Sequence, residues 1–547
     1  MISFFFPVLT PLIVLLLVVA AGSCSAQDGI TVNGQIVSPD MIALGRQIYR
    51  QGILADGKPV KAHVMGDIEV LGTQFTCLNC HGRSGMGGGE GKTFTLAINP
   101  VALFAPRDSM YLERSAYDDE SLEACIRQGE TPEGTKLTPE MPTYDLPDRE
   151  MTALIAYLKT LSGKFSPGLT DGEIHFATVV GDGIDPRDRM AMLAVMHSFF
   201  NDKNAKTRNE GKRSSRGPFY QTYRLKAYRK WVLHVWELHG PPDTWAGQMD
   251  NYLHKQPVFA LLGGMVRSSW QPIHIFCEDR EIPCLLPNTD RPGGIGTNDF
   301  YTLYFSEGLR LEARVIATDL IRQKRPVRVL QVYADRMGKF GALSFTNAID
   351  TSQRISVKNW QMKQGEIFSQ EKLSTQIRES AADSVILWLP AKTILRIDLT
   401  ELKKMIKGQV YLSSTLLDEI APRFLDRLET KVKLAHPFIL PKNRQAVFKR
   451  ITPWLRSRKI ALNRRRILGQ TYYACMILGE GLMHIKRHFY RDYLMDALDH
   501  GNAKAIFSIN YPRLSYGPGQ RYLAKGAFIL QKNDDGKTSA TWIVPRM

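Results

Sequence analysis

The residues whose types and spacing best suit chemistry are Cys77, Cys80 and His81, in the run Cys-Leu-Asn-Cys-His. Two thiols separated by two residues can both form thioether bonds to the vinyl groups of one haem, and the adjacent imidazole then reaches the iron. A thioredoxin-like site would need a βαβ context, and a zinc site would need a second Cys/His pair. Neither accompanies this run, so the sequence predicts a covalent haem-attachment site.

A haem iron held by His81 has a second axial position, which takes another ligand or stays open. Met141 is the predicted ligand because it lies in a proline-bracketed loop that can project its sulfur across the haem. A thioether ligand raises the reduction potential of the iron. Met110 and His63 are the reserve ligands, and filling a gap in the core is the alternative role for Met141.

Two helices and a glycine-rich loop are predicted around this motif. Apolar spacing indicates a helix over residues 39–51, N-capped by Ser38, and a terminal helix over residues 147–161. Gly45 lies in the first helix where another backbone can approach closely. The run Gly82–Gly89 lacks the spacing of a phosphate-binding loop, so it predicts tight packing of the chain against a porphyrin.

The combination of these segments resembles a class I cytochrome c over residues 38–162. The matching residues are Gly45–Tyr49, Cys77–Gly82, the Met141–Pro142 loop and Leu154–Lys159. The resemblance implies an all-α domain, one covalent haem c, His81 and Met141 as axial ligands of its iron, and electron transfer as the activity. A long insertion before Cys77 departs from the compact pattern.

The N-terminus has the pattern of an export signal. Residues 1–26 contain no charged side chain, and an apolar run from Phe4 to Ala21 precedes a group of small residues. Cleavage is therefore predicted near Ala26. Two alternatives stay open: the run is retained as a membrane anchor, or Cys24 is acylated. Every interpretation places the mature protein outside the cytoplasm, and the prediction is a periplasmic protein.

Charge divides the chain into two parts of opposite sign. Residues 27–164 have 13 basic and 18 acidic side chains, a balance of −5, whereas the remainder has 58 and 36, a balance of +22. In an exported protein, nucleic acid is a poor candidate partner for the excess of basic side chains outside residues 27–164. An acidic protein, an anionic ligand or an anionic membrane surface fits it better. The basic run over residues 203–230 is either a solvated loop or a docking patch.

Strands alternate with helices beyond a linker at residues 165–172. A buried strand over residues 258–262 ends in two glycines, and Ser268 and Ser269 then open a helix. Free amides at a helix start and two hydroxyls suit a carboxylate or another anion, although ordinary N-capping explains the same serines. The alternation predicts parallel sheets in two α/β lobes.

The order of these segments resembles that of type I periplasmic binding proteins over residues 173–440. The matching segments are Val258–Gly263, the Ser268-Ser269 helix start, Ile282–Pro287, Tyr304–Ser306 and Val329–Tyr333. The resemblance implies two lobes around a ligand cleft, with Ser268, Ser269 and Tyr304 at that cleft. A basic insertion and the chain after His436 depart from the simplest pattern.

The predicted organisation is multidomain. A signal peptide at residues 1–26 precedes an all-α cytochrome c domain at 27–164, a linker at 165–172 and a two-lobed α/β domain at 173–547. Cys277 and Cys284 are close enough in sequence to pair in an oxidising compartment, and buried free thiols are equally open.

The predicted function is electron transfer through one covalent haem, without enzymatic activity of its own. The partner is a redox protein, acidic or a periplasmic dehydrogenase, and the larger domain binds that partner or a small ligand. Two other classes stay open: a ligand or redox sensor with a mainly structural haem, and a haem enzyme with an open iron site. The sequence contains no Walker or H-E-x-x-H signature.

Overall fold

The computed structural model describes residues 29–545 apart from 91–92, 110–111, 215–228, 350–353, 364–365, 425–429, 501–508, 516 and 518. The chain divides into two compact units. The small unit comprises Met1–Thr76 and Leu103–Thr160, and the large unit comprises Cys77–Ala102 and Leu161–Met547. The predicted signal peptide lies outside the described residues, and the domain bounds given above stay a prediction.

Short strands and helices alternate in the first part of the chain. They are β1 (Thr31–Val32), β2 (Gln35–Ile36), α1 (Pro39–Gln51), β3 (Lys61–Val64), β4 (Ile68–Leu71), α2 (Cys77–His81), β5 (Gly88–Glu90), β6 (Thr93–Thr95), α3 (Pro100–Leu103), β7 (Arg107–Ser109), β8 (Leu112–Arg114), α4 (Asp119–Gln128), β9 (Thr143–Asp145) and α5 (Asp148–Thr160). Both predicted helices therefore exist, as α1 and α5.

Helices α1 and α5 cross at Gly45. A Cβ atom at this position would overlap the Ala153 carbonyl group and the Tyr157 side chain, so only glycine permits the approach. Next to the crossing, the rings of Tyr49 and Tyr157 meet edge to face with centroids 5.3 Å apart. The helix then ends at Gly52, which adopts the left-handed conformation. The predicted close approach at Gly45 is confirmed.

The small unit is not all-helical, contrary to prediction. Strand β3 pairs antiparallel with β4 and with β9, giving a three-stranded sheet in the order β4-β3-β9. The cause lies in the insertion before Cys77. Met65 and Gly66 both have positive φ there, so the chain reverses and Lys61–Val64 pairs with Ile68–Leu71.

The remainder of the chain continues the alternation. Its elements are β10 (Glu173–Gly181), α6 (Pro186–Ser214), β11 (Lys230–Leu238), α7 (Trp245–Lys255), β12 (Ala260–Leu262), α8 (Gln271–Asp279), β13 (Cys284–Leu285), β14 (Thr302–Leu303), α9 (Leu309–Ile321), β15 (Val327–Tyr333), α10 (Arg336–Ile349), β16 (Ile355–Gln361), α11 (Gln370–Ser380), β17 (Ser384–Trp388), α12 (Ala391–Ile394), α13 (Leu399–Met405), β18 (Val410–Ser413), α14 (Ser414–Leu417), α15 (Ala421–Phe424), β19 (Val432–His436), α16 (Pro441–Phe448), α17 (Thr452–Ser457), α18 (Arg465–Ile485), α19 (Arg491–His500), β20 (Ala527–Lys532) and β21 (Thr538–Ile543).

Two sheets organise the large unit. The first lobe has the strand order β11-β10-β12-β13-β14, all parallel, and the second has the order β16-β15-β17-β18-β19-β20-β21. In the second sheet the strands β15 to β19 are parallel to one another. Strand β20 pairs antiparallel with both β19 and β21. Counted from its own first strand, each parallel run has the order 2-1-3-4-5 of a doubly wound fold. The prediction of two α/β lobes is confirmed.

The basic run is partly helical, because α6 continues to Ser214 instead of ending near Asn201. Residues 215–228 lie outside the described residues, so the choice between a solvated loop and a docking patch stays open. Within the described ranges, no helix combines the length and apolar character needed to cross a bilayer.

Candidate functional site

The haem-attachment motif forms the short helix α2. Cys77 and Cys80 are three residues apart on it, so their side chains project from the same face. Cys77 is half-buried and Cys80 is exposed, whereas His81 is buried, with 7% of its surface accessible. This arrangement gives two accessible thiols next to a fixed imidazole.

The His81 ring is oriented by a backbone carbonyl. Its Nδ1 lies 2.9 Å from the Leu96 carbonyl oxygen, and because a carbonyl only accepts, Nδ1 carries the proton. Burial lowers the pKa of His81, although the bond to Leu96 opposes that shift, so the ring is neutral. Its Nε2 therefore has an available lone pair. Among the described residues, this buried Nε2 has no hydrogen-bond partner.

These features fit a c-type haem. A metal-ligating histidine ordinarily donates its other ring N–H to a carbonyl or carboxylate, as His81 does, and leaves the remaining nitrogen for the metal. Leu96 is 44% exposed and nearby Phe94 is 80% exposed, which is apolar surface that a porphyrin can cover. Cys77 and Cys80 would hold the vinyl groups, and His81 the iron.

Comparison with known families agrees with this geometry. Residues 71–162 match the cytochrome c family model. The matched segment contains the attachment motif and Met141, and similarity to that family implies covalently bound haem and electron transfer for this part of the chain. No curated protein matches the chain.

Met141 belongs to the small unit, where it lies two residues before β9 and is half-buried. Its amide donates to the Thr138 carbonyl at 3.0 Å, which fixes the loop backbone. The reserve ligand His63 lies in β3, paired in register with Thr143, and Met110 lies outside the described residues. Axial ligation by Met141 stays a prediction.

The three residues predicted at a ligand cleft have local partners in the first lobe. Ser269 Oγ accepts from the Gln271 amide at 3.2 Å, and helix α8 begins at Gln271, two residues later than predicted. Tyr304 is 1% exposed, and its hydroxyl accepts from the Gly293 amide at 3.1 Å. Ser268 is half-buried next to Ser269. A ligand-binding role for these side chains stays a prediction.

A cavity that the sequence did not indicate lies at the carboxyl ends of β18 and β19 in the second lobe. Its volume is about 350 Å³, including space open to solvent. Ends of parallel strands are the usual position of ligand sites in doubly wound folds. The lining residues are Ser414, Thr415, Asp418, Ala421, His436, Phe438, Arg444, Arg466 and Asn510.

The chemistry of this cavity is polar. Ser414 Oγ lies 2.7 Å from His436 Nδ1, and burial lowers the pKa of His436 to about 4, so this ring is neutral. Behind the wall, the buried Glu312 carboxylate accepts from the Thr415 amide at 3.0 Å and from the hydroxyls of Thr415 and Ser413. The lining itself presents the hydroxyls of Ser414 and Thr415, the carboxylate of Asp418 and the guanidinium groups of Arg444 and Arg466. These groups suit a small polar molecule.

The two lobes meet around Tyr511. Its ring stacks on Phe305, which follows β14, with centroids 5.7 Å apart, and lies 5.4 Å from Phe438, which follows β19. Gln470 donates to the Tyr511 hydroxyl at 3.2 Å. Side chains of the chain itself therefore occupy this part of the space between the lobes.

Solved structures similar to the chain include ABC transporter substrate-binding proteins. One from Aeropyrum pernix has a TM-score of 0.48 and 12% identity, covering 69% of this chain and 96% of its own. A branched-chain amino acid ABC transporter structure from Thermus thermophilus with bound valine has a TM-score of 0.48 and 12% identity, covering 69% and 97%. Because this similarity is low, the assignment of two doubly wound α/β lobes rests on the strand orders described above and not on these structures.

Two other clusters of chemically capable side chains have structural partners. His274, Glu278 and Asp299 are close enough to hold a metal, but the Glu278 carboxylate already accepts from the amides of Phe300, Tyr301 and Thr302.

The thiols of Cys277 and Cys284 are fully buried and hydrogen-bonded to each other. Burial, followed by that hydrogen bond, raises the pKa of Cys277 well above its ordinary value. In the structure both cysteines are buried free thiols, which is the second of the two alternatives that the sequence left open.

Proposed function

We propose that this protein is an exported electron carrier in which a covalent haem c is joined to a domain that recognises a small ligand or a redox partner. The observation that carries the proposal is the His81 imidazole, buried and neutral, with Nδ1 bonded to Leu96 and Nε2 without a partner. The haem supplies one-electron chemistry when bound. Cys77 and Cys80 anchor it, and His81 and Met141 set the environment of the iron.

The recognition role rests on the cavity at the ends of β18 and β19. It combines the hydroxyls of Ser414 and Thr415 with the guanidinium groups of Arg444 and Arg466, which are groups that bind a small polar ligand. The excess of basic residues outside residues 27–164 supports an acidic redox partner, such as a periplasmic dehydrogenase. Covalent joining of the two activities couples recognition to electron delivery.

A visible spectrum of the purified protein tests the electron-transfer proposal. We expect low-spin haem in both oxidation states and reversible one-electron titration in a spectroelectrochemical cell. A high-spin ferric iron that turns over peroxide would overturn the proposal and favour the haem enzyme. Absence of covalent haem from protein made with a functional attachment system would also overturn the electron-transfer proposal.

A thermal-shift screen of small polar metabolites tests the recognition proposal, because a ligand that binds the native state raises its melting temperature by mass action. Arg444→Gln, in the cavity wall, is expected to abolish the shift. Lys442→Gln on the same helix is the matched control, since Lys442 is exposed and outside the cavity. A ligand that stabilises both variants equally binds elsewhere.

A ligand sensor with a structural haem is the second candidate function, and the same cavity favours it. Ligand binding that changes the haem spectrum or potential without changing the rate of electron transfer to any partner would support it. A ligand that accelerates transfer would support the carrier.

A further inference from the structure

The loop that follows His81, residues 82–87, is hydrogen-bonded to one carboxylate of the large unit. Asp496, on α19, accepts a hydrogen bond from the Arg83 amide at 3.1 Å and another from the Ser84 amide at 2.8 Å. Both Asp496 and Ser84 are buried, with 7% and 0% of their surfaces accessible. A single side chain therefore fixes the backbone of the second and third residues after the haem-binding histidine.

The same loop is held closely on its other sides. Gly82 has φ +72°, and a Cβ atom there would lie 2.7 Å from Asp496 Oδ2, so a side chain would disturb the carboxylate. The Ser162 hydroxyl donates to the Ser84 carbonyl at 2.7 Å. The Gly87 amide donates to the His81 carbonyl at 3.0 Å, which ties the loop back to the imidazole residue.

The Arg83 side chain adds a second attachment to the first lobe. Its guanidinium lies over the rings of Phe300 and Tyr301, 4.6 Å and 5.0 Å from their centroids, and Nη2 is 3.7 Å from a Glu281 carboxylate oxygen. Only 14% of this side chain is exposed. A buried cation between aromatic rings is well placed for cation–π attraction. The loop thus contacts the segments that precede β13 and β14.

Helix α19 is itself fixed to the same edge of the first sheet. Arg491 donates to the carbonyls of Val258, at 2.6 Å, and Phe259, at 3.1 Å, which lie just before β12. Asp499 pairs with the buried Arg521. Asp496 is therefore presented to the haem loop from a rigid support.

Asp496 carries a negative charge at neutral pH. Burial raises its pKa to about 6, and the hydrogen bonds from Ser84 and Arg83 oppose that rise. A buried anion stabilises the more positive state of a nearby redox centre, because the low local dielectric screens it weakly.

We propose that Asp496 is a positioning residue for the haem, which sets the orientation of the His81 loop and lowers the reduction potential of the iron. This inference rests on the proposed function, since it requires haem ligated by His81. It assigns a redox role to a residue in the C-terminal part of the chain, outside the segment that matches cytochrome c.

The test compares the full haem-loaded protein with Asp496→Asn. Asparagine offers one acceptor oxygen and turns an N–H₂ group towards the other amide, so one of the two hydrogen bonds is lost. We expect amide exchange in the peptide containing Arg83 and Ser84 to rise roughly tenfold, as the loss of about 1.4 kcal/mol would produce. The midpoint potential is expected to shift upward while the low-spin spectrum remains.

Asp499→Asn is the matched control. It removes an equally buried carboxylate from the same helix, but its partner Arg521 is not in the haem loop. An upward shift of the same size in this control would overturn the inference, because general loosening of α19 would then explain both.

Ser162→Ala keeps the inference testable if Asp496→Asn does not fold. This variant removes the hydrogen bond that the Ser84 carbonyl accepts and leaves the Asp496 carboxylate in place. Faster exchange of the loop with an unchanged potential is expected, since the buried charge is retained. If the wild type has a normal cytochrome spectrum but Asp496→Asn changes neither the amide exchange nor the midpoint potential, the inference is overturned and the proposed function stands. Failure of the wild type to bind haem overturns the function itself.

Discussion

The Arg466 guanidinium binds both oxygens of the Asp290 carboxylate, through three N–O contacts of 2.7–3.0 Å. Asp290 follows β13 in the first lobe, and Arg466 is the second residue of α18. Arg466 Nε also lies 3.6 Å from Asp418, which follows β18 and α14 in the second lobe. One side chain therefore links the ends of strands from both sheets, at the edge of the cavity.

Removing this cation should destabilise the large unit. Arg466→Met leaves Asp290 without its bidentate partner, and we expect a loss of about 2 kcal/mol in the free energy of unfolding. Fully buried pairs cost about 3–5 kcal/mol when one partner is removed. The expected loss is smaller here because about a fifth of the surface of the Arg466 and Asp290 side chains is exposed to solvent. Urea unfolding followed by tryptophan fluorescence measures the change.

Lys537→Ala serves as the control for that measurement, because Lys537 and Asp535 form a loose pair that is mostly exposed. No measurable change is expected from it. Equal stability of Arg466→Met and wild type would show that the bidentate pair does not stabilise the contact between the lobes.

Glu312 should make stability depend on pH. Burial raises its pKa to about 8, and hydrogen bonds from Ser413 and Thr415 oppose this. The unfolded value is about 4.3. Between these pH values the native state binds more protons than the unfolded chain, so the contribution of Glu312 to stability falls as pH rises, by at most about 1.4 kcal/mol per pH unit.

Glu312→Gln cannot titrate and should escape this loss. Its free energy of unfolding relative to wild type is expected to increase steadily from pH 5 to pH 8 and then level off. Glu371→Gln, an exposed carboxylate on α11, is the control and should follow the wild-type profile. Parallel profiles for wild type and Glu312→Gln would contradict the prediction.

Gly45→Ala should loosen the helix pair of the small unit. The added methyl group overlaps the Ala153 carbonyl, and overpacking of this kind costs about 1–3 kcal/mol. Thermal unfolding followed by the Soret band of the haem measures the loss. Ala43→Ser changes an exposed position of the same helix and is expected to leave the melting temperature unaltered. An unchanged melting temperature for Gly45→Ala would mean that α1 and α5 separate easily.

Met141→Ala tests the sixth ligand. We expect the near-infrared sulfur-to-iron band of methionine ligation to disappear and the midpoint potential to fall, because a thioether ligand favours the reduced iron. Met65→Ala is an informative control, since Met65 is 62% exposed and its amide donates to the Pro139 carbonyl in the Met141 loop. The band is expected to persist in Met65→Ala. Its persistence in Met141→Ala would contradict the prediction and assign the ligand to Met110 or another residue.

Local features of this fold were predictable where neighbouring residues decide the conformation. The helix cap at Ser38 depends on a few adjacent positions. Gly45 indicated only that a backbone could approach closely there, and the residues that do so, Ala153 and Tyr157, lie more than a hundred positions later. The alternation of strands and helices also predicted two α/β lobes, because helices covering both faces of a parallel sheet leave buried strands with nearly continuous apolar runs. The sheet in the small unit escaped prediction because its pairing depends on a turn at Met65 and Gly66.

The cavity escaped prediction for a different reason. Its walls come from Ser414, His436, Arg444 and Asn510, which span nearly a hundred positions and form no motif. The sequence instead predicts a site at Ser268 and Ser269, because a strand, a glycine turn and a helix start are adjacent there. Adjacent residues reveal helix caps, whereas a site assembled from the ends of several strands appears only after the sheet order is known.

The attachment of the haem loop to Asp496 has a consequence for biogenesis. The two hydrogen bonds join positions 412 and 413 residues apart. Contacts of such sequence separation form late, and chains fold from the N-terminus as they emerge. During synthesis the two cysteines therefore emerge, and are open to haem ligation, well before Asp496 is available to bind the loop. A truncation upstream of α19 should accordingly yield protein that carries haem but never acquires the mature redox potential.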